Sequence, residues 1–483
     1  MNNSIISRLI LFCVILVFPE TLSWAQNSAT SIQQKITIWE SSSALANAGV
    51  GIAVYNTQTS EPIFKSTPHL SLVPASIFKV VTTATALEVL GPDFRFKTTL
   101  AYAGVVKNDT LYGDLQVIGG GDPTLGSKYF PEQKDFLNEW IKALADNHIR
   151  AIKGNLIVDS SIYEKLQVPG SWAWEDLGSY YGAGASGISV YDNQFEIHLK
   201  STETVNQPTK LLKIVPEVPG LDLQNEVLSS NENSDQSYVF GNPEDSRRVI
   251  RGTIPKGRSD FVVKASLPDP AVVLSFEFRT KLRKSGIEIS TKTAYEKINI
   301  QGITLKKTLS PTLSEIIKVT NFESVNLFAE HFLKHLSWQN SGNGTTKDGC
   351  QVIVDFWKNK GLPTTGFFMT DGSGLSRFDA ITADQMCWIL NYMKSKSVYS
   401  GVFIHSLPGA GNGTLTAFST ENFPNNCIHA KSGSMTRVRC YAGYLRTDTG
   451  KNLSFAVMLN NFSCTMSEAT QKIQDLLVEL RKL

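Results

Sequence analysis

The stretch Pro74-Ala75-Ser76-Ile77-Phe78-Lys79, running into the apolar segment Val80–Leu90, constrains this chain most. The segment predicts a buried helix that ends near Gly91-Pro92, and a buried helix needs layers of other structure around it. At the head of that helix Ser76 and Lys79 stand three residues apart, so their side chains share one face. A serine hydroxyl is a weak nucleophile until a base takes its proton. A lysine serves as that base when desolvation or a neighbouring cation lowers its pKa. Ser-x-x-Lys by itself is common, and a capping serine beside a surface lysine is its ordinary reading. The rest of the chain decides between the two.

With 483 residues, the chain is long enough for two or three domains, and its 42% hydrophobic content suits a large core. The formal charge of +2 gives no whole-chain signal for nucleic acid or for an anionic membrane. Arg8, the apolar run Leu9–Phe18 and the small residues of Ser23-Trp24-Ala25 have the pattern of an export signal, with cleavage expected after Ala25. No cysteine follows that cut, so a lipid anchor is not indicated. Cys350, Cys387, Cys427, Cys440 and Cys464 remain in the mature chain, an odd number that leaves at least one unpaired or intermolecular. Cys427 and Cys440 flank an expected strand-turn-strand unit and are the expected pair. Their spacings do not suggest zinc.

In order, Ile32–Leu45 has a helical pattern, and Gly51–Tyr55 and Pro62–Lys65 form a hairpin signal around Asn56–Ser60. From Arg95 the texture turns to short strands with one helix, Glu132–Asn147. Gly119-Gly120-Gly121-Asp122-Pro123 lacks the lysine and spacing of a phosphate loop and reads as a tight turn. Ser171–Asn193, rich in Trp, Tyr, Gly and Ser, reads as a surface that meets a ligand or another domain. Thr202–Arg258 is polar and β-prone, a small β-rich insert. At Leu267-Pro268-Asp269-Pro270 the texture changes again, and helices are expected over Ala271–Ser285, Leu313–Ile317, Ser324–Leu336, Gly349–Lys360 and Thr382–Lys394. Two strands follow, Arg439–Leu445 and Leu453–Leu459. The final segment Thr470–Leu483 carries an apolar stripe suited to packing on a sheet, with peripheral membrane contact as the alternative.

Two further motifs complete the serine-lysine pair. Ser324-Val325-Asn326 opens an expected helix 248 residues after Ser76, and Lys431-Ser432-Gly433 lies at the end of an expected strand 107 residues later. Acyl transfer gives each residue a task. Ser76 attacks a carbonyl and Lys79 accepts its proton. Ser324 relays the proton toward the leaving amine, while Asn326 holds Lys79 or the substrate amide. Lys431 adds positive charge that keeps Lys79 neutral and attracts a substrate carboxylate. Ser432 hydrogen-bonds that carboxylate, and Gly433 lets substrate backbone come close. The backbone N–H groups of Ser76 and Ser434 would form an oxyanion hole, worth roughly 3 kcal/mol per donor.

This set in this order resembles the penicillin-binding proteins, and specifically the D-alanyl-D-alanine carboxypeptidase/endopeptidase type, peptidase family S13. Four more stretches are similar to that family: Gly119–Leu125, Ser186–Asn193, Ala265–Pro270 and Asp371–Arg377. The resemblance implies an α/β (α+β) serine β-lactamase/transpeptidase-like domain, an antiparallel sheet flanked by helices, with two nested β-rich inserted domains. The expected boundaries are 26–94 and 270–483 for the catalytic domain, 95–198 and 255–269 for the first insert, and 199–254 for the second. It also implies an exported serine DD-peptidase of the periplasm or cell envelope. Such an enzyme acts on the D-Ala-D-Ala end of peptidoglycan stem peptides, and on D-Ala-diaminopimelate cross-links, and is acylated by β-lactam antibiotics. No cofactor, metal or nucleic acid is implied. Two departures stand out: Val325 where aspartate is common, and Ser432 where threonine is common. Altered tuning with retained activity is expected.

Arg377, with Asp176 and Tyr181, is a candidate for the far end of the substrate, where a diaminopimelic residue carries an amine and a carboxylate. A surface ion pair and a core tyrosine are the alternatives. His331 and His335 sit four apart on one helix beside Glu330, in a spacing that differs from His-Glu-x-x-His; a helix-face pair without metal is expected. Asp371 is expected to shape a turn near the site. Two rival functions are a β-lactamase, disfavoured by the long insert and the lack of an assignable deacylating glutamate, and a non-catalytic cell-wall-binding protein, disfavoured by the intact motifs.

Overall fold

The computed structural model describes residues 39, 41–289 and 292–483. The export signal and most of the helix expected over Ile32–Leu45 lie outside these residues, and residues 41–45 form turns.

The expected hairpin forms from strands Gly49–Asn56 and Pro62–Ser66. It joins Ile428–Met435, Val438–Arg446 and Asn452–Asn460 in one five-stranded antiparallel sheet. From one edge the order runs 428–435, 438–446, 452–460, 49–56, 62–66, so the first and last strands among the described residues pair inside the sheet. Successive residues of a strand point to opposite faces, and here both faces are covered. Cys440, Ala442, Tyr444, Ala456 and Met458 pack against the buried helix Lys79–Leu90 and its neighbours. Tyr441, Leu445, Phe455, Val457 and Leu459 pack against Ile473, Leu476, Leu477 and Leu480 of the C-terminal helix Met466–Arg481. The apolar stripe that could have met a membrane is spent on the sheet.

The alternation also removes the expected Cys427–Cys440 disulfide. Cys440 pairs with Gly433 across the sheet, six residues along from Cys427, a separation of about 20 Å at strand rise. A disulfide needs Cα atoms within about 7 Å. All five cysteines among the described residues are free thiols.

Between Arg95 and Ser310 the chain leaves this body and returns through a narrow neck. Arg95 Nη1 donates to the Ser310 carbonyl (2.6 Å), Phe96 N to Ser310 Oγ (3.0 Å), and Ser310 N to the Phe96 carbonyl (3.1 Å). The excursion holds a seven-stranded sheet that includes Lys97–Lys107, Thr110–Ile118, Leu156–Asp159 and Ile303–Leu309. Helices Phe136–Asp146 and Pro270–Lys284 pack on it through Trp140 and Phe278, whose rings are 5.1 Å apart. A second excursion, necked by Ser201 and Arg258, carries the smaller strands between Lys210 and Pro255.

The expected return to the first body at residue 270 therefore comes later. Residues 270–309 still pack with the inserted sheet, and Trp140 Nε1 donates to Thr308 Oγ1 at 2.9 Å. The Pro-Asp-Pro punctuation marks a helix start instead: Asp269 caps Ala271 and Val272, and Pro270 occupies the first turn, where a missing N–H costs nothing.

The insert leans back onto the helix Asn326–Ser341. Lys334, fully buried, donates to the carbonyls of Leu166 (2.6 Å) and Ala185 (3.3 Å) and lies 3.5 Å from Glu164. His331 Nδ1 donates to the Gly121 carbonyl at 2.8 Å, so its Nε2 accepts from Ser189 Oγ at 2.9 Å. Both ring nitrogens thus serve the docking of the insert. Replacing Lys334 with alanine leaves buried carbonyls without a donor. The variant should lose about 3 kcal/mol of stability, read as a lower midpoint in urea unfolding.

Candidate active site

Ser76 lies in a short 3-10 turn, Ala75–Phe78, that feeds the helix Lys79–Leu90. Ala75 before it has φ 48°, a left-handed conformation that alanine adopts at a cost of about 1–2 kcal/mol. The sheet edge holds that turn in place. A Cβ at Gly433 would come within 2.6 Å of the Pro74 carbonyl and 3.0 Å of the Ser76 N. The strand Ile428–Met435 therefore runs flush against the turn that carries Ser76, and only glycine permits the approach. The Cβ side of Gly433 is thus filled by the protein's own turn.

Lys79 is completely buried. Its Nζ lies 3.0 Å from Ser76 Oγ, 2.6 Å from Asn326 Oδ1 and 2.7 Å from the Ser373 carbonyl. The two carbonyl-type oxygens can only accept. In the neutral amine they take both N–H groups, which leaves the lone pair for the Ser76 hydroxyl. Burial pushes the Lys79 pKa down to about 7, opposed first by Asp371 and then by the Glu330 carboxyl when it is ionised. Asn326 is held from its other end, where Nδ2 donates to the Tyr181 carbonyl at 2.9 Å. That bond fixes the amide with its oxygen toward Lys79.

The second motif links two helices, Leu313–Glu323 and Asn326–Ser341, and does not simply start one. Ser324 takes the left-handed conformation at the end of the first, φ 59°. Val325, where aspartate is common in the resembling family, turns into the core and is 7% exposed. An apolar side chain suits that position. Lys431, also fully buried and in mid-strand, donates to Ser324 Oγ at 2.9 Å and to the Ser432 carbonyl at 2.9 Å. Its pKa is lowered first by burial and then by the charges of Lys79 and Arg439. Burial, and not Lys431, is thus the main cause that favours a neutral Lys79.

Ser76, Ser324, Asn326 and Ser434 line one cleft of about 500 Å³. Asp176, Tyr181 and Arg377 line the same cleft, so all three far-end candidates are brought to it. Asp176 and Tyr181 hydrogen-bond, and Arg377 is near enough to act on the Asp176 charge. Burial still leaves the Asp176 carboxyl above its ordinary value. Ser432 is buried in the strand beside the cleft, whereas Ser434 is exposed at its mouth, with Oγ 3.6 Å from Met466 Sδ.

Beneath the cleft lies an acidic layer, in which Asp371 shapes the expected turn and Glu330 is the site member that the sequence did not single out. Both Glu330 carboxylate oxygens accept from Gly372 N, at 3.0 and 3.1 Å. Asp371 accepts from Ser373 N, Gly374 N and Ser376 N and from Trp172 Nε1, so it shapes the turn that presents the Ser373 carbonyl to Lys79. Burial and Asp371 together raise the Glu330 pKa to about 8. Glu330 sits four residues after Asn326, one turn along the same helix face, and that spacing was the available signal.

Against known proteins, the model of the D-Ala-D-Ala carboxypeptidase 3 (S13) family matches residues 32–482. A D-alanyl-D-alanine carboxypeptidase from Actinomadura sp. (strain R39) is 25% identical over 453 residues, which cover 90% of this chain and 82% of that protein. The crystal structure of penicillin binding protein 4 from Haemophilus influenzae superposes with a TM-score of 0.81 at 23% identity, over 94% of this chain and 99% of that one. The same protein complexed with a beta-lactam gives a TM-score of 0.75 at 21% identity, over 94% and 98%. The S13 match spans the neck, both excursions and all three motifs, and on that extent the chain belongs to the D-Ala-D-Ala carboxypeptidase 3 (S13) family of serine peptidases.

Proposed function

We propose that this serine DD-peptidase works through a Ser76 acyl-enzyme with Lys79 as its base. The observation that carries the reading is the buried Lys79 amine, with two acceptors and one hydroxyl around it. Ser76 Oγ attacks the carbonyl of the penultimate D-Ala, and its proton passes to Lys79. Ser324, held by Lys431, gives its proton to the departing amine and regains one from Lys79, and the terminal D-Ala leaves. Water then attacks the ester and restores Ser76. The amides of Ser76 and Ser434 are the proposed oxyanion donors.

The substrate reading follows the cleft. Asp176, Tyr181 and Arg377 offer a carboxylate, a hydroxyl and a guanidinium, the complement of a residue carrying both amine and carboxylate. Diaminopimelate-containing stem peptides fit that set, and D-Ala-diaminopimelate cross-links present the same scissile carbonyl. Peptidoglycan lies outside the cytoplasm, so the apolar leader is read as an export signal. Among the described residues no helix is long and apolar enough to cross a membrane. The nested division is proposed as a catalytic body with a first insert from residue 95 to 310 and a second between 201 and 258.

Benzylpenicillin offers a strained amide to the same oxygen. Brief exposure should add one penicilloyl mass to the wild-type protein and none to Ser76→Ala, measured by intact mass spectrometry. An adduct on the alanine variant would move the nucleophile elsewhere. Lys79 must be neutral to accept the proton, so acylation should slow about tenfold per pH unit below about 7, the value to which burial brings this amine. Asn326→Asp places a carboxylate against the amine and favours its charged form. The acidic limb should then move up by about 1–3 pH units. Stopped-flow acylation rates against pH check both statements.

A further inference from the structure

Beyond the catalytic cleft, a second cavity of about 730 Å³ opens between the loop at Lys128-Tyr129, the turn at Tyr180-Tyr181 and the strand Gln236–Phe240 of the inner excursion. It does not include Ser76, but it shares a wall with the cleft: Tyr129, Tyr180, Tyr181 and Tyr238 line both. The cavity thus adjoins the catalytic cleft across these side chains. Its surface is unusual for a packing interface. The hydroxyls of Tyr129, Tyr180 and Tyr238 have no hydrogen-bond partner among the described residues, and Tyr180 and Tyr238 are 47% and 48% exposed. From Tyr238 on its wall, an aromatic platform continues through Phe240 to Trp174. Trp174 and Phe240 stack at 4.7 Å, Tyr238 and Phe240 at 6.4 Å, each pair within 30° of parallel, and Trp174 is 58% exposed.

The charges narrow the occupant. Lys128 and Lys264 are balanced by Asp235 and Glu323, so the cavity has no net sign with which to select an ionised peptide end. It offers flat apolar faces together with many separate donors and acceptors. A neutral ring with apolar C–H faces and peripheral hydroxyl and amide groups meets both features, and an amino sugar is such a ring.

We propose that this cavity and its aromatic platform form a saccharide subsite, which holds an amino-sugar unit of the glycan to which the stem peptide is attached while the peptide end lies at Ser76. The inference rests on the DD-peptidase reading for the identity of the substrate, and not for the existence of the sugar site. Tyr238 supplies the stacking face at the boundary of the two cavities, and Trp174 extends it outward.

The test compares a stem peptide ending in D-Ala-D-Ala with the same peptide carried on its amino-sugar disaccharide, using the purified full chain. The wild type should show a KM about fivefold lower for the sugar-bearing substrate, with kcat alike. In Tyr238→Ala, and separately in Trp174→Ala, the ratio of the two KM values should fall to about one; because each variant serves as its own control, a general loss of activity does not mimic this. Equal KM values in the wild type, or a ratio that survives both substitutions, overturn the proposal. A second readout needs no turnover: a soluble trimer of N-acetylglucosamine should change the tryptophan fluorescence of the wild type saturably, and Tyr238→Ala should weaken that binding at least fivefold. If neither substrate is hydrolysed, the peptidase reading fails, and absence of trimer binding then overturns the saccharide site on its own.

Discussion

An amine taken fully out of water governs this molecule. Lys79 has no exposed surface, and its three neighbours are a hydroxyl, an amide oxygen and a main-chain carbonyl. Desolvation penalises the charged form, and with no carboxylate in direct contact the amine stays near neutrality. The remainder of the catalytic body keeps water away from this nitrogen. The helix that carries it is buried through Leu87, the sheet edge lies flush on the turn before it, and the Asp371 turn closes it from below.

The insert belongs to the same arrangement. It supplies the Tyr181 carbonyl that orients Asn326 and the Trp172 indole that donates to Asp371. Through Lys334 and His331 it is fastened along the helix that begins with Asn326. One helix therefore has two duties: its first residue contacts the Lys79 amine, and its next turns receive the inserted loops. Asp176 and Tyr181, on one of those loops, reach the cleft because of this docking.

Much of the fold was legible from local pattern. The hairpin, the buried helix, the final strands and the amphipathic terminal helix stand where periodicity and turn residues placed them. Errors arose where a local signal had more than one meaning. Asp269-Pro270 marks a helix start, and nothing local distinguishes that from a change of body. Cys427 and Cys440 flank one strand-turn-strand unit, yet strand register sets them far apart and on opposite faces of the sheet.

The sequence alone determined the chemistry available: a serine and a lysine one turn apart, two partner motifs in order, and apolar runs long enough to bury them. Those are properties of neighbouring residues and of spacing, which the chain carries in any conformation. Only the tertiary structure decided how that chemistry is tuned. Whether Lys79 meets Asn326 or solvent, which acids lie beneath it, and which tyrosines wall the cleft depend on contacts between segments hundreds of residues apart. Such contacts follow from how layers close around a shared core, a global condition that no window of sequence contains.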